Sequence, residues 1–213
     1  MKQQWNIHRC LSELKTLDNR ISKKISNLNQ VDYKKNSAEK TYKTKSTIKD
    51  FEESVKAELD SITQLISNRN KIKNAVVLSN ASTKVTISGK EYTVAEAIER
   101  KNSITLERSL ITRLVGNYKL AMNTVNSNNQ EAELKAESQV NAILGSDAKT
   151  EEKLETMKKV IENNSWSLID PVDTVKLVEE MTTEVEAFET EVDYILSVSN
   201  ATTVVEIDLD EVK

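Results

Sequence analysis

Residues 79–87 read Ser-Asn-Ala-Ser-Thr-Lys-Val-Thr-Ile, and residues 199–207 read Ser-Asn-Ala-Thr-Thr-Val-Val-Glu-Ile. Six of the nine positions are identical, 120 residues apart. A helical apolar pattern runs into each copy, and an alternating pattern leaves it. After the second copy, Val205, Ile207 and Leu209 alternate with Glu206, Asp208 and Asp210, which marks a half-buried strand. Asn80 and Asn200 suit the left-handed position that ends many helices. The two stretches are therefore expected to be one helix stop used twice, each delivering a strand, rather than two half-sites for a ligand.

Working back from the first stop, Thr47-Ile-Lys-Asp50 resembles a capping box and opens a helix over 48–79. Its apolar row is Ile48, Phe51, Val55, Leu59, Ile62, Leu65 with Ile66, Ile72 and Val76. Beyond the stop, Ser88-Gly89 reads as the turn of a hairpin over 83–92. Thr93-Val-Ala-Glu96 is a cleaner capping box and opens a helix over 93–125. Asn-Ser-Asn-Asn-Gln at 126–130 reads as a break, with shorter helices at 131–144 and 151–163 separated by Gly-Ser-Asp-Ala-Lys-Thr. Asp170-Pro171 announces the last helix, 171–198, with Asp170 as N-cap and Pro171 at the first helical position. Val178, Met181, Val185, Phe188, Val192 and Ile195 keep a strict heptad seam along it. A strand over 203–209 follows.

The first segment, 3–31, places Ile7, Leu11, Leu14, Ile21, Ile25 and Leu28 on a narrow stripe interrupted at Asp18. That spacing is a coiled-coil seam. From 32 to 47 the pattern fades into Lys, Ser and Thr, either a solvated helical continuation or a mobile basic loop. Tyr33 and Tyr42 among these lysines would serve as base-stacking residues in a nucleic-acid patch, but a plain solvated face is the preferred reading.

Composition agrees with long helices. The 213 residues include three Gly, one Pro, 30% charged residues and only 4% aromatics. So few chain-turning residues do not suit a loop-rich enzyme. The expected architecture is mainly α, with long antiparallel helices in a bundle or coiled coil. A small β-hairpin plus the C-terminal strand would sit at one end, all within a single elongated domain spanning 1–213. Narrow seams predict a homo-oligomer, a dimer or higher.

The net charge of −4 is unevenly spread: residues 1–50 carry +7 and residues 150–213 carry −12. Such polarity favours pairing of the two ends, within the chain or between copies. An acidic whole repels nucleic acid, which is therefore the weakest partner expected. The single Cys10 excludes an internal disulfide and points to a reducing compartment. Charges throughout residues 1–30 exclude a signal peptide, and no apolar run approaches the roughly 20 residues that span a bilayer. The expectation is a cytoplasmic protein with no membrane partner.

Little resembles chemistry. His8 and Cys10, two residues apart, point to different faces of a helix and cannot share a metal or form a nucleophilic pair. The carboxylates of the last helix read as a solvated flank. No phosphate loop, dinucleotide fingerprint or His-rich motif is present. No enzyme, catalytic residue, metal site or cofactor is expected. The best candidate for a ligand contact is a polar and basic cluster around the hairpin: Asn68, Arg69, Lys73, Tyr92, Arg100 and Lys101. There Arg69 and Arg100 would grip a phosphate or carboxylate. Ordinary pairing of these cations with acidic residues such as Glu206 or Asp208 is the preferred alternative. Trp166 would stack on a ligand ring, or more simply cover a helix end.

The stretch 59–115 resembles the central block of septicolysin-like proteins, a family of small helical bacterial and phage proteins. The shared features are a helix ending in Asn80-Ala-x-Thr83, a turn at Gly89, and Thr93-x-Ala95-x-Ala97-x-x-Arg100. Asn200-Ala-Thr-Thr203, with Trp166 ahead of it, is similar to the family's C-terminal end. The likeness covers about half the chain, and 32–47 and 120–163 look like insertions. It implies a bacterial or phage protein, whereas the cytolysin in the family name finds no membrane-active segment here. The expected function is a non-enzymatic, self-associating binding or assembly protein. The alternative is an oligomeric binder that sequesters a small anionic, nucleotide-type molecule, in the manner of a phage anti-defence protein. Unless it is a virion component, its place would be the host cytoplasm.

Overall fold

The computed structural model describes residues 2–144 and 150–210. Among the described residues, five helices and four short strands run in the order β1 (Lys2–Asn6), α1 (Ile7–Asn27), α2 (Ile48–Ser82), β2 (Lys84–Ile87), β3 (Lys90–Thr93), α3 (Val94–Leu144), α4 (Thr150–Asn164), α5 (Thr174–Thr202) and β4 (Val204–Asp208). The fold is mainly α, with long helices packing together and two small antiparallel sheets. The chain groups into two compact units, Met1–Lys101 with Phe188–Lys213, and Asn102–Ala187.

In the first unit the repeated stretch governs the topology. Helix α2 stops where the Thr83 N–H bonds Ser79 O at 2.8 Å, and α5 stops where the Thr203 N–H bonds Ser199 O at 2.9 Å. Each threonine carbonyl then accepts the first N–H of another helix: Val94 N–H to Thr83 O at 2.9 Å, and Ile7 N–H to Thr203 O at 3.0 Å. Strand β2 pairs with β3, and β4 pairs with β1. The register repeats: Val85 faces Tyr92 as Val205 faces Trp5, and Lys84 faces Thr93 as Val204 faces Asn6. Strands β3 and β1 then feed helices whose caps also match. Thr93 Oγ1 accepts the Glu96 N–H at 3.1 Å, and Asn6 Oδ1 accepts the Arg9 N–H at 2.8 Å. The unit thus contains one motif twice: helix, strand, partner strand, helix. In the first copy Ser88-Gly89 joins the strands, with φ of 50° and 77°. In the second copy the paired strands, β1 and β4, come from opposite ends of the described residues.

Burial follows the same correspondence. Ile87 and Ile207, Val94 and Ile7, Ala97 and Cys10, Ile72 and Val192 are all buried. Around the β1–β4 pair the core comprises Trp5, Ile7, Cys10, Leu14, Leu17, Ile21, Leu65, Ile72, Val76 and Ile207. Fully burying an aliphatic side chain of this kind stabilises by about 1.5–3 kcal/mol.

In the second unit, Ala132, Ala136 and Val140 form a buried row at i, i+4 spacing on α3. Asn129 and the Trp166 backbone exchange two hydrogen bonds, 2.7 and 3.1 Å. Between residues 105 and 131 no position of α3 is buried.

Five expectations change. Residues 2–6 are strand rather than helix, and the helix that follows ends at Asn27. Lys2–Asn6 carries almost no apolar alternation, and its partner strand lies at the other end of the chain. For that reason β4 pairs with β1 and not with the 83–92 hairpin. Asn126–Gln130 does not break α3: these residues lower helix propensity by only a few tenths of a kcal/mol each, and Asn129 is used to hold Trp166. The break expected at Gly145–Thr150 lies, but for Thr150, outside the described residues. Asp170 does not cap a helix at Pro171. Its carboxylate binds the Thr174 N–H at 2.7 Å and the Thr174 hydroxyl at 2.9 Å, and Asp173 takes φ 50°, so α5 begins at Thr174. Finally, Asn80 and Asn200 are helical, and neither is left-handed. Each chain exits through the threonine that follows, Thr83 at φ −73°, ψ 124°. A helix that runs straight into a strand needs an extended residue at its end, not a left-handed one.

Candidate functional site

The cations singled out around the hairpin do not form one site. Arg69 Nε donates to Asp18 Oδ1 of α1 at 2.9 Å. Lys101 is paired with Asp193 of α5. Lys73 is exposed. Asn68 is buried and bound on both sides to Asp210: its amide donates to Asp210 O at 2.9 Å, and its carbonyl accepts the Asp210 N–H at 2.8 Å. Trp166 belongs to the second unit, where with Ala132, Ala136 and Val160 it lines a cavity of about 190 Å³. Tyr92 and Arg100 alone are brought together. The guanidinium donates to the Tyr92 hydroxyl and lies 4.7 Å from the centre of the Phe188 ring. Tyr92 and Phe188 meet edge to face at 5.7 Å. This aromatic–cation stack is built like packing: the ring pair and the cation over it each contribute about a kcal/mol to holding β3, α3 and α5 together. Pairing with acids does occur, through Asp18 and Asp193, while Glu206 pairs with Lys2 at 2.7 Å.

A groove of about 730 Å³ lies between the C-terminal third of α2 and β4. Both helix stops line it, through Ser79, Ser82, Thr83 and Thr203, together with Asn74 and Lys71. Its volume is in the range of small-molecule sites. Two helix C-termini give its wall a partial negative charge. Lys71 is engaged by Asp210 at 2.7 Å. The groove therefore suits a neutral, hydrogen-bonding ligand better than a bare anion. The repeated Ser and Thr residues were the signal for it in the sequence, where they read as punctuation alone.

A smaller cavity, about 260 Å³, lies behind Trp5 and is bounded by Leu17, Leu65, Ile72, Asn68 and the C-terminal Leu209 and Asp210. The Lys71 ammonium, bonded to Asp210, holds that carboxyl below its ordinary range. Cys10 is fully buried, and burial pushes its thiol pKa up, the wrong direction for a nucleophile. Among the described residues no three His, Cys, Asp or Glu side chains gather as a metal site would need. No described helix is long and apolar enough to cross a membrane. No family model, no curated protein and no solved structure matches the chain.

Proposed function

We propose that the chain is a non-enzymatic, self-associating helical protein whose assembly partner is a second copy of itself. The observation that carries this reading is an apolar stripe on α3. Leu106, Leu110 and Leu120 are 72%, 49% and 69% exposed and fall within one side of the helix at 3.6 residues per turn. Arg113 and Asn117 continue the same row at heptad spacing, where polar residues fix register at a cost in affinity. Such a seam needs a partner helix to be buried. Light scattering on the purified protein should give a multiple of 24.1 kDa, and Leu106→Glu with Leu120→Glu should return the monomer. A wild-type monomer at tens of micromolar would sink the reading. The likeness to septicolysin-like proteins of bacteria and phages belongs to this proposal, as does a place in the cytoplasm.

A second reading, sequestration of a small nucleotide-type molecule, is favoured only by the volume of the groove at the two helix stops, whose negative wall suits the uncharged nucleoside part better than the phosphates. Thermal-shift screening against nucleosides and nucleotides tests it. A shift abolished by Lys71→Ala places the ligand in the groove, and one abolished by Arg100→Ala places it at the Tyr92–Phe188 stack. No shift with any of them excludes this reading.

A further inference from the structure

The segment between α1 and α2 is an ordered module rather than a solvated run. Its anchor is Asp32. One carboxylate oxygen accepts the N–H groups of Tyr33 and Lys43, at 2.7 and 3.1 Å. The other accepts the N–H of Thr44 at 2.9 Å and its hydroxyl at 3.0 Å. Burial alone would raise this carboxyl's pKa, but these four donors outweigh it and hold the pKa well below the ordinary carboxylate range. The segment also closes on itself. Tyr42 N–H bonds Tyr33 O at 2.7 Å, and the buried Thr41 hydroxyl meets those of Thr44 and Ser46.

What this framework displays is positive. From Arg20 to Lys45 the chain carries Arg20, Lys23, Lys24, Lys34, Lys35, Lys40, Lys43 and Lys45, against Asp32 and Glu39 only. Asp32 already has both oxygens bonded within the loop. Elsewhere lysines find carboxylates: Lys2 with Glu206, Lys71 with Asp210, Lys84 with Glu91, Lys101 with Asp193. Among the described residues no carboxylate lies in ion-pair range of Lys35, Lys40, Lys43 or Lys45. Two of these ammoniums rest on aromatic rings instead. Lys43 Nζ lies 5.5 Å from the centre of Tyr33, and Lys45 Nζ 4.3 Å from that of Tyr42. The two rings stack on each other at 5.2 Å and are 57% and 58% exposed.

A lysine normally loses rotamer freedom when it meets a phosphate. Here ring contacts restrict the ammoniums beforehand, and the Asp32 clamp has already fixed the backbone. That is preorganisation for a polyanion. Exposed tyrosines interleaved with such lysines select, among polyanions, one with flat rings between its phosphates. We infer that the loop 28–47 is a binding site for single-stranded nucleic acid, read through its phosphates and base faces without sequence preference. The overall negative charge does not oppose this, because at physiological salt charges beyond about 8 Å are largely screened.

The test is fluorescence anisotropy of the full chain with labelled 20-nucleotide single strands of mixed sequence, between 50 and 200 mM salt. Binding should weaken with salt, and Lys43→Ala with Lys45→Ala should flatten the log–log slope by about 1.4, roughly 0.7 per lysine. Tyr42→Leu should weaken binding several-fold with little change in slope, because stacking is lost and charge is kept. Lys119→Ala with Lys158→Ala, equal in charge removed but outside the loop, should change neither. Three results would overturn the inference. One is no binding at 50 mM salt. Another is equal losses in the loop and control doubles. The third is binding to vesicles rich in phosphatidylserine with none to the oligonucleotide.

Discussion

The two copies of the helix–strand–strand–helix motif share their backbone and differ in what fills them. At the position where one copy places Phe188, 1% exposed, the other places Asn68, 5% exposed. Phe188 packs on Tyr92 and carries the Arg100 guanidinium. Asn68 faces Trp5 across a small cavity and ties down the chain end through Asp210. Leu14, buried in one copy, corresponds to Lys101, paired with Asp193, in the other. The joined hairpin is closed by Ser88-Gly89, whose Ser88 N–H binds Glu191 at 2.6 Å. Lys71 occupies the place that corresponds to Glu191, and it holds Asp210, just beyond β4, to α2 at 2.7 Å. The two helix positions thus each hold the backbone at the end of a strand pair, with opposite signs of charge. Backbone hydrogen bonding sets the motif, and side chains are free to diverge within it.

The sharpest way to break this comparison is to empty the corresponding positions. Phe188→Ala removes a fully buried ring and should cost about 3–5 kcal/mol, seen as a lower urea midpoint. Asn68→Ala leaves Asp210's backbone groups to water at the surface and should cost only about 1–3 kcal/mol. Equal losses would mean that the two copies are filled alike after all.

How far the sequence revealed this follows from the range of each interaction. The Thr93–Glu96 box, the Ser88-Gly89 turn and the alternation of Val205 and Ile207 are local, and are legible from a few neighbouring residues. The repeat at 79–87 and 199–207 was also visible, and it correctly pointed to two helix stops that each deliver a strand. What it could not reveal was the partner of the second strand. Lys2–Asn6 shows one aromatic and no alternation, because its stability comes from a ladder with β4 that closes almost the whole chain. The candidate cations were legible as residues but not as a site. Arg69 and Arg100 lie on different helices, α2 and α3, and neither Asp18 nor Phe188 announces itself as their partner. Asp32 was passed over for a related reason: an aspartate eleven and twelve residues from the amides it binds has no short-range signature.

The caps offer a finer comparison. Asn6→Ala removes the acceptor for the Arg9 N–H, and Thr93→Ala the acceptor for the Glu96 N–H. Each should cost about 1 kcal/mol. The two costs should be close, because each side chain makes one further bond: Thr93 Oγ1 donates to the Glu96 carboxylate at 3.0 Å and Asn6 Nδ2 to Ala201 O at 3.1 Å. A cost near zero at one site and not the other, by thermal denaturation, would show that the two helix starts are not equivalent.

The Lys71–Asp210 pair beyond β4 carries a pH dependence that the Ser88-Gly89 turn lacks. In the folded chain the Lys71 ammonium lowers the pKa of Asp210 below its ordinary 3.8, while burial opposes this. A carboxyl with a depressed folded pKa contributes stability that is complete above its unfolded value and is lost as pH falls through the folded one. The contact should therefore be constant from pH 8 to about 5 and should loosen below about 4. The Asn68 side-chain amide, which donates to Asp210 O, reports it directly by its NMR shift. In Lys71→Met the loosening should begin at higher pH, because the carboxyl returns toward 3.8, while Tyr92 and Phe188 signals should not respond in either protein. An unchanged midpoint in Lys71→Met would show that the buried Asn68 bonds alone hold Asp210 against α2, and that this contact needs no charge.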